Sequence, residues 1–109
     1  MNMMFQALAD PRRREIVELL RGGDQAVSEL VHALPIAQSG VSRHLRILRD
    51  AGLVTSRAEG QRRIYSLRPE PFEQLSDWLD QYRWLWEARL DRFELELARR
   101  QAALPTEPE

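Results

Sequence analysis

The stretch SELVHALPIAQSGVSRHLRILRDAGL, residues 28–53, constrains the fold more than any other part of the chain. Pro35 interrupts it, and a helix rarely runs through a proline or the residue before one. On the first side, Ser28 is a candidate N-cap for a short helix over Glu29–Leu34. On the second, the spacing predicts a helix from about Ala37 to Ala51, with Gly52 free to supply a left-handed C-terminal cap. Two short helices joined by a few residues form a helix-turn-helix, here spanning about 28–52.

The second helix has two unlike faces. Val41, Leu45 and Leu48 recur at i, i+4 and i+7 and form an apolar stripe. Ser39, Ser42, Arg43, Arg46 and Arg49 fall opposite, with Gln38 at the N-terminal edge. An amide, two hydroxyls and a row of guanidiniums suit DNA: Arg is bidentate to guanine, Gln to adenine, and Ser serves a base or a phosphate. Gly40 has no side chain and would permit close approach of a backbone. Charged helix residues usually face plain solvent, so position matters here. The second helix of a helix-turn-helix is the one that enters the major groove, N-terminal residues first.

A candidate hairpin follows at once. Val54–Arg57 and Arg62–Leu67 have strand character, and Glu59-Gly60 reads as the turn between them. This is a wing over about 54–67, whose Arg62 and Arg63 could reach phosphates or the minor groove. Before the helix-turn-helix, MMFQALA suits a short helix over 3–9. Asp10-Pro11 then starts another, with Asp as N-cap and Pro at the first helical position. Its apolar face is Ile16, Val17, Leu19 and Leu20, and Arg21-Gly22-Gly23-Asp24 stops it.

The charge distribution supports a polyanionic partner. The net charge of -1 is bland, but residues 36–69 carry seven Arg against Asp50 and Glu59, a balance of +5. Residues 70–109 carry five Arg against ten acids, a balance of -5. One face is therefore expected to meet DNA and another to stay away from it. There is no cysteine, hence no disulfide framework or thiol switch. No run approaches the roughly 20 apolar residues of a membrane span, and no secretory signal is recognisable, so the expectation is a cytoplasmic bacterial chain with no membrane partner. No paired carboxylates, Ser-His-Asp set or phosphate loop suggests an enzyme, and no motif suggests a cofactor.

Pro69 and Pro71 punctuate the chain before a last helix, expected over about 71–101. Phe72, Leu75, Leu79, Tyr82, Trp86, Leu90, Phe93 and Leu97 follow one another by threes and fours. Trp78, Trp84, Leu85 and Leu95 widen the stripe. So much apolar surface needs a second body, and an identical helix is the economical one. A ligand pocket lined by Trp78, Tyr82, Trp84 or Trp86 is the alternative. The whole of 1–104 is read as one domain, with a flexible tail at 105–109.

LADPRRREIVELL, VSELVHAL and QSGVSRHLRILRDAGLVTSRAEGQRRIYSL together resemble the ArsR-type (ArsR/SmtB) winged helix-turn-helix repressors of bacteria. The resemblance rests on S-x-H-L-x-x-L-x-x-A-G-L-V from Ser42 to Val54 and on the wing pattern from Gly60 to Leu67, and it covers about residues 5–97. It implies a mainly α fold with a small β-hairpin. It also implies a homodimer held by the first and last helices, through Phe5, Leu8, Phe72, Leu75, Leu79, Tyr82, Trp86, Leu90 and Phe93. Its partner would be double-stranded operator DNA, bound at an inverted repeat. The DNA contacts it implies are Gln38, Ser39, Ser42 and Arg43, with Arg62 and Arg63 from the wing; Gly40, His44 and Arg46 complete the candidate surface. His44 suits either a phosphate contact or packing within the turn.

Two features depart from that family. Ala37 stands where relatives often place a capping Ser. Metal-binding relatives carry cysteines in the helix that here reads SELVHAL, or His and carboxylate ligands along the last helix. Here only His32 and His44 exist, in different helices, and zinc needs three or four ligands in one place. The chain therefore resembles the branch without metal-ligand motifs, and no pattern specifies a small-molecule effector. The alternative function is a winged-helix protein-interaction module without specific DNA binding.

Overall fold

The computed structural model describes residues 1–103. In chain order the elements are α1 (Asn2–Leu8), α2 (Pro11–Arg21), β1 (Gln25–Ala26), α3 (Val27–Ala33), α4 (Gln38–Asp50), β2 (Val54–Glu59), β3 (Arg62–Leu67), α5 (Pro69–Asp80) and α6 (Arg83–Ala103). The tail expected at 105–109 lies outside the described residues. Contacts divide the described residues into two compact units, 1–75 and 76–103.

The first unit is built around the apolar stripes of its helices. Ile16, Leu20, Leu30, Val41, Leu45, Leu48, Leu53 and Val54 are almost fully buried together. Removing so much aliphatic surface from water is the main force that holds α2, α3, α4 and the sheet together. Asp10 caps α2 as anticipated: its Oδ1 accepts from the backbone N–H groups of Arg12 at 2.8 Å and Arg13 at 3.2 Å. Arg13 turns back on α1, where Nε donates to the Ala7 carbonyl at 2.6 Å and Nη2 to that of Gln6 at 3.2 Å. One short joint thus satisfies orphan groups of both helices.

The end of α4 is set by a Schellman turn. Gly52 N–H donates to the Arg49 carbonyl at 2.9 Å and Leu53 N–H to that of Leu48 at 3.0 Å. Gly52 takes φ +77°, a left-handed value that favours glycine. Leu48 and Leu53, at the two ends of the six-residue bond, are both fully buried and supply the motif's apolar contact.

The wing is part of a three-stranded antiparallel sheet of order β1-β3-β2, with β3 in the middle, and not a bare hairpin. The two-residue β1 pairs Gln25 with Tyr65 and Ala26 with Ile64. It is too short to show alternation, which is why the sequence gives no sign of it. The β2–β3 turn is Gly60-Gln61, one residue later than expected, closed by the Glu59–Arg62 pair. Gly60 has φ +60° and no other turn residue is positive, as a type II′ turn requires. Helix α3 also begins earlier than expected: Ala26, not Ser28, is its N-cap, without a side-chain hydrogen bond.

The helix expected over 71–101 is two helices. Helix α5 ends at Asp80, and α6 starts at Arg83. Between them the backbone tightens to i→i−3 bonds: Gln81 N–H to Trp78 at 3.3 Å, Tyr82 N–H to Leu79 at 3.0 Å, Leu85 N–H to Tyr82 at 3.0 Å. No Gly or Pro marks the break, and such a turn leaves the spacing of threes and fours intact. Phe72 and Leu75, in the first unit, pack against its core. In the second unit, Trp78 and Tyr82 meet edge to face at 5.3 Å. Trp84, Trp86, Leu90, Phe93 and Leu95 of α6 are exposed, Trp84 by 63% and Phe93 by 58%. No helix among the described residues is long and apolar enough to cross a membrane.

Candidate nucleic-acid interface

The face of α4 opposite its buried stripe is open. Gln38, Ser39, Ser42, Arg43 and Arg46 are all exposed. Among the described residues, none of their side chains has a hydrogen-bond or ion-pair partner, although nine other arginines do. Helix α4 begins at Ala37, which offers no side-chain cap, so its first N–H groups are also open. A helix N-terminus with free N–H groups and cationic side chains attracts anions.

Two expected members of this face are only half exposed. His44 belongs by spacing to the stripe of Val41, Leu45 and Leu48; it is half-buried, and its Nδ1 is buried without a hydrogen-bond partner. Its charge is felt by Asp10, at the N-terminus of α2. Gly40 is half-buried too. A Cβ there would meet Ile36 Cδ1 at 3.6 Å, an ordinary contact, so packing alone does not require a glycine at this position.

The wing arginines differ from one another. Side chains alternate along a strand, so the adjacent Arg62 and Arg63 leave opposite faces of β3. Arg62 is ion-paired with Glu29, in the first turn of α3. On the same face Arg57 holds Asp24 Oδ2 at 2.7 Å, with Ser66 Oγ at 3.2 Å. That contact, chiefly the Arg57 hydrogen bond, keeps the Asp24 carboxyl below the usual carboxylate range and raises Arg57. Arg63, on the other face, donates only to Ser56 Oγ at 3.1 Å. The sequence reading missed Asp24 and Glu29 as partners, because contacts across 33 residues leave no local pattern.

Among the described residues no three His, Cys, Asp or Glu side chains gather closely enough to hold a metal ion.

A helix-turn-helix whose second helix bares an uncapped, cationic face, followed at once by a two-stranded wing, defines a winged helix-turn-helix regulator. The family of bacterial regulatory proteins of the arsR type matches residues 10–56. The transcriptional regulator Rv2034 of Mycobacterium tuberculosis is 46% identical over 72% of this chain and 73% of its own length. The transcriptional repressor SdpR of Bacillus subtilis is 34% identical over 72% of this chain and 88% of its own. Among solved structures, the ArsR family transcriptional regulator RHA00566 superposes with a TM-score of 0.70 at 36% identity, covering 79% of this chain and 94% of that one. The chain belongs to the arsR family, and it is a DNA-binding transcriptional regulator.

Proposed function

We propose that the chain acts in the cytoplasm as a homodimeric repressor that occupies an inverted-repeat operator in double-stranded DNA. The observation that carries this reading is the unengaged face of α4. Gln38, Ser39, Ser42 and Arg43 lie in its first turns, the part of a recognition helix that meets base edges. Arg46, one turn further, suits phosphates. Arg63 is the wing arginine free to reach the backbone, while Arg62 must first leave Glu29.

In this reading residues 1–75 carry DNA recognition and the second unit carries assembly. The exposed Leu79, Tyr82, Trp86, Leu90 and Phe93, with Phe5 of α1, provide the surface that a second copy would cover. Leu8, Phe72 and Leu75 are already half-committed to their own core and can add only an edge. An isologous contact gives a two-fold axis, which places two recognition helices in successive major grooves roughly 34–36 Å apart.

The test is a fluorescence-anisotropy titration on a duplex selected by the protein from a random pool. An inverted repeat in the selected sequences, and affinity that falls steeply with salt, are expected. Selection of no common sequence, with binding indifferent to salt, would replace this reading with a protein-interaction module.

A further inference from the structure

A hollow of about 490 Å³ beside the edge strand β2 gathers three guanidiniums from three parts of the chain. Arg49 comes from the last turn of α4, Arg63 from β3, and Arg68 from the link between β3 and α5; Val54, Thr55 and Ser56 complete the lining. The Schellman turn that ends α4 brings the first and last together. Arg68 N–H donates to the Leu53 carbonyl at 2.9 Å, and Arg68 Nη1 lies 3.6 Å from where a Cβ on Gly52 would be.

No carboxylate lines this hollow. Arg68 has a loose neighbour in Glu70, at 3.8 Å from Nε, and Arg63 is held only by the Ser56 hydroxyl. Arg49 has no hydrogen-bond or ion-pair partner among the described residues. Elsewhere in the first unit Arg12, Arg21, Arg57 and Arg62 each sit on an acid, while among the described residues the exposed Arg14, Arg43 and Arg46 are unpaired but do not line a hollow with other arginines. Three like charges share one concavity here, and a multivalent oxyanion relieves their repulsion. Guanidinium forks match a tetrahedral oxyanion with paired N–H donors, and the Ser56 hydroxyl adds one more.

We propose that this hollow is a phosphate-binding cradle formed by Arg49, Arg63 and Arg68. None of Gln38, Ser39, Ser42, Arg43 and Arg46 lines it, and Arg49 lies one turn beyond Arg46, at the far end of α4 from the base-reading turns. Either a backbone phosphate of bound DNA or a free phosphate-bearing ligand presents the required group; the first of these rests on the DNA-binding reading above.

The experiment uses the full chain as Arg68→Gln and Arg49→Gln, with equal thermal midpoints confirming that each folds. One arm measures DNA affinity at several salt concentrations. Loss of one phosphate contact lowers the slope of log K against log salt by about 0.9, equally on selected and unrelated duplexes. The second arm titrates inorganic phosphate against the DNA-free protein at constant ionic strength, following arginine Nε–Hε resonances. Saturable shifts at Arg49, Arg63 and Arg68, abolished in Arg68→Gln, are expected. A slope change identifies DNA as the source; resonance shifts with an unchanged slope identify a free ligand. An unchanged slope with unmoved resonances overturns the cradle. If the wild type shows no salt-dependent DNA binding, the DNA reading fails, and the phosphate titration alone decides the cradle.

Discussion

Arg62 of β3 is ion-paired with Glu29 in the first turn of α3, across 33 residues of sequence. The contact neutralises a wing arginine and ties one face of the hairpin to the helix-turn-helix. Exposed pairs of this kind contribute little stability, so DNA can compete for the guanidinium. Glu29→Gln is therefore expected to tighten DNA binding about two- to fivefold. It should also steepen the salt slope by about 0.9 as Arg62 gains a phosphate. Anisotropy titrations at three salt concentrations check this; an unaltered slope would mean that Arg62 never reaches DNA.

Arg43 and Arg63 should fail in different ways. Arg43→Ala removes a side chain placed to read a base, and is expected to lose about 1–3 kcal/mol of discrimination between selected and unrelated duplexes. Arg63→Gln should weaken both alike and lower the salt slope by about 1. Competition titrations with the two duplexes separate these outcomes, and a uniform loss for Arg43→Ala would remove it from the base-reading set.

Stability should fall with acid at the α1–α2 joint. The Asp10 carboxyl is held below the usual carboxylate range, first by the backbone N–H of Arg13, then by the N–H of Arg12, the Arg13 guanidinium and His44, against a smaller opposing effect of burial. A carboxyl whose folded pKa is depressed stabilises the fold above its unfolded value, near about 3.9, and loses that contribution as pH falls through the folded value. Asp10→Ala should lower the thermal midpoint by a few degrees at neutral pH, and the gap to wild type should close at low pH. Melting curves followed by circular dichroism test it; a gap that is the same at every pH would assign the effect to something other than the charge.

The C-terminal cap of α4 is expected to be sensitive at two places. Gly52→Ala forces a Cβ into φ +77° and should cost about 1–2 kcal/mol, although its nearest neighbour, Arg68 Nη1 at 3.6 Å, would be an ordinary contact. Leu48→Ala empties a fully buried site and should cost about 2–5 kcal/mol. Urea titration measures both. Because Arg68 is bonded to Leu53 beside this cap, Gly52→Ala should also weaken the phosphate response of the cradle.

In the proposed dimer, assembly rests on α6. Phe93→Glu places a charge in the exposed apolar surface and is expected to give a monomer with weakened operator binding. Light scattering coupled to size exclusion reads the mass directly. A wild type that is already monomeric at micromolar concentration would require a different partner for this helix.

Much of the DNA-facing helix was legible because its cause is local. Val41, Leu45 and Leu48 repeat with the helical period, and that same period assigns His44 to the buried side. Arg62 and Arg63 share a charge and a place in the wing pattern, but a strand sends neighbouring side chains to opposite faces, so the two meet different surroundings. The break at Gln81–Tyr82 had no such signal, since a tightened turn without Gly or Pro preserves the apolar spacing.

The sequence by itself determined the helix-turn-helix, the Asp10 cap, the glycine that ends α4 and the charge asymmetry, because each depends on residues within a few positions of one another. Tertiary structure alone decided which arginines are occupied. Asp24 and Glu29 take Arg57 and Arg62, while the end of α4 and the strands bring Arg49, Arg63 and Arg68 to one hollow. Those pairings depend on how β1 and α3 lie against the wing and on the turn at Gly52. Charges distant in sequence interact only once packing has set the distance between them, and no periodicity records that distance.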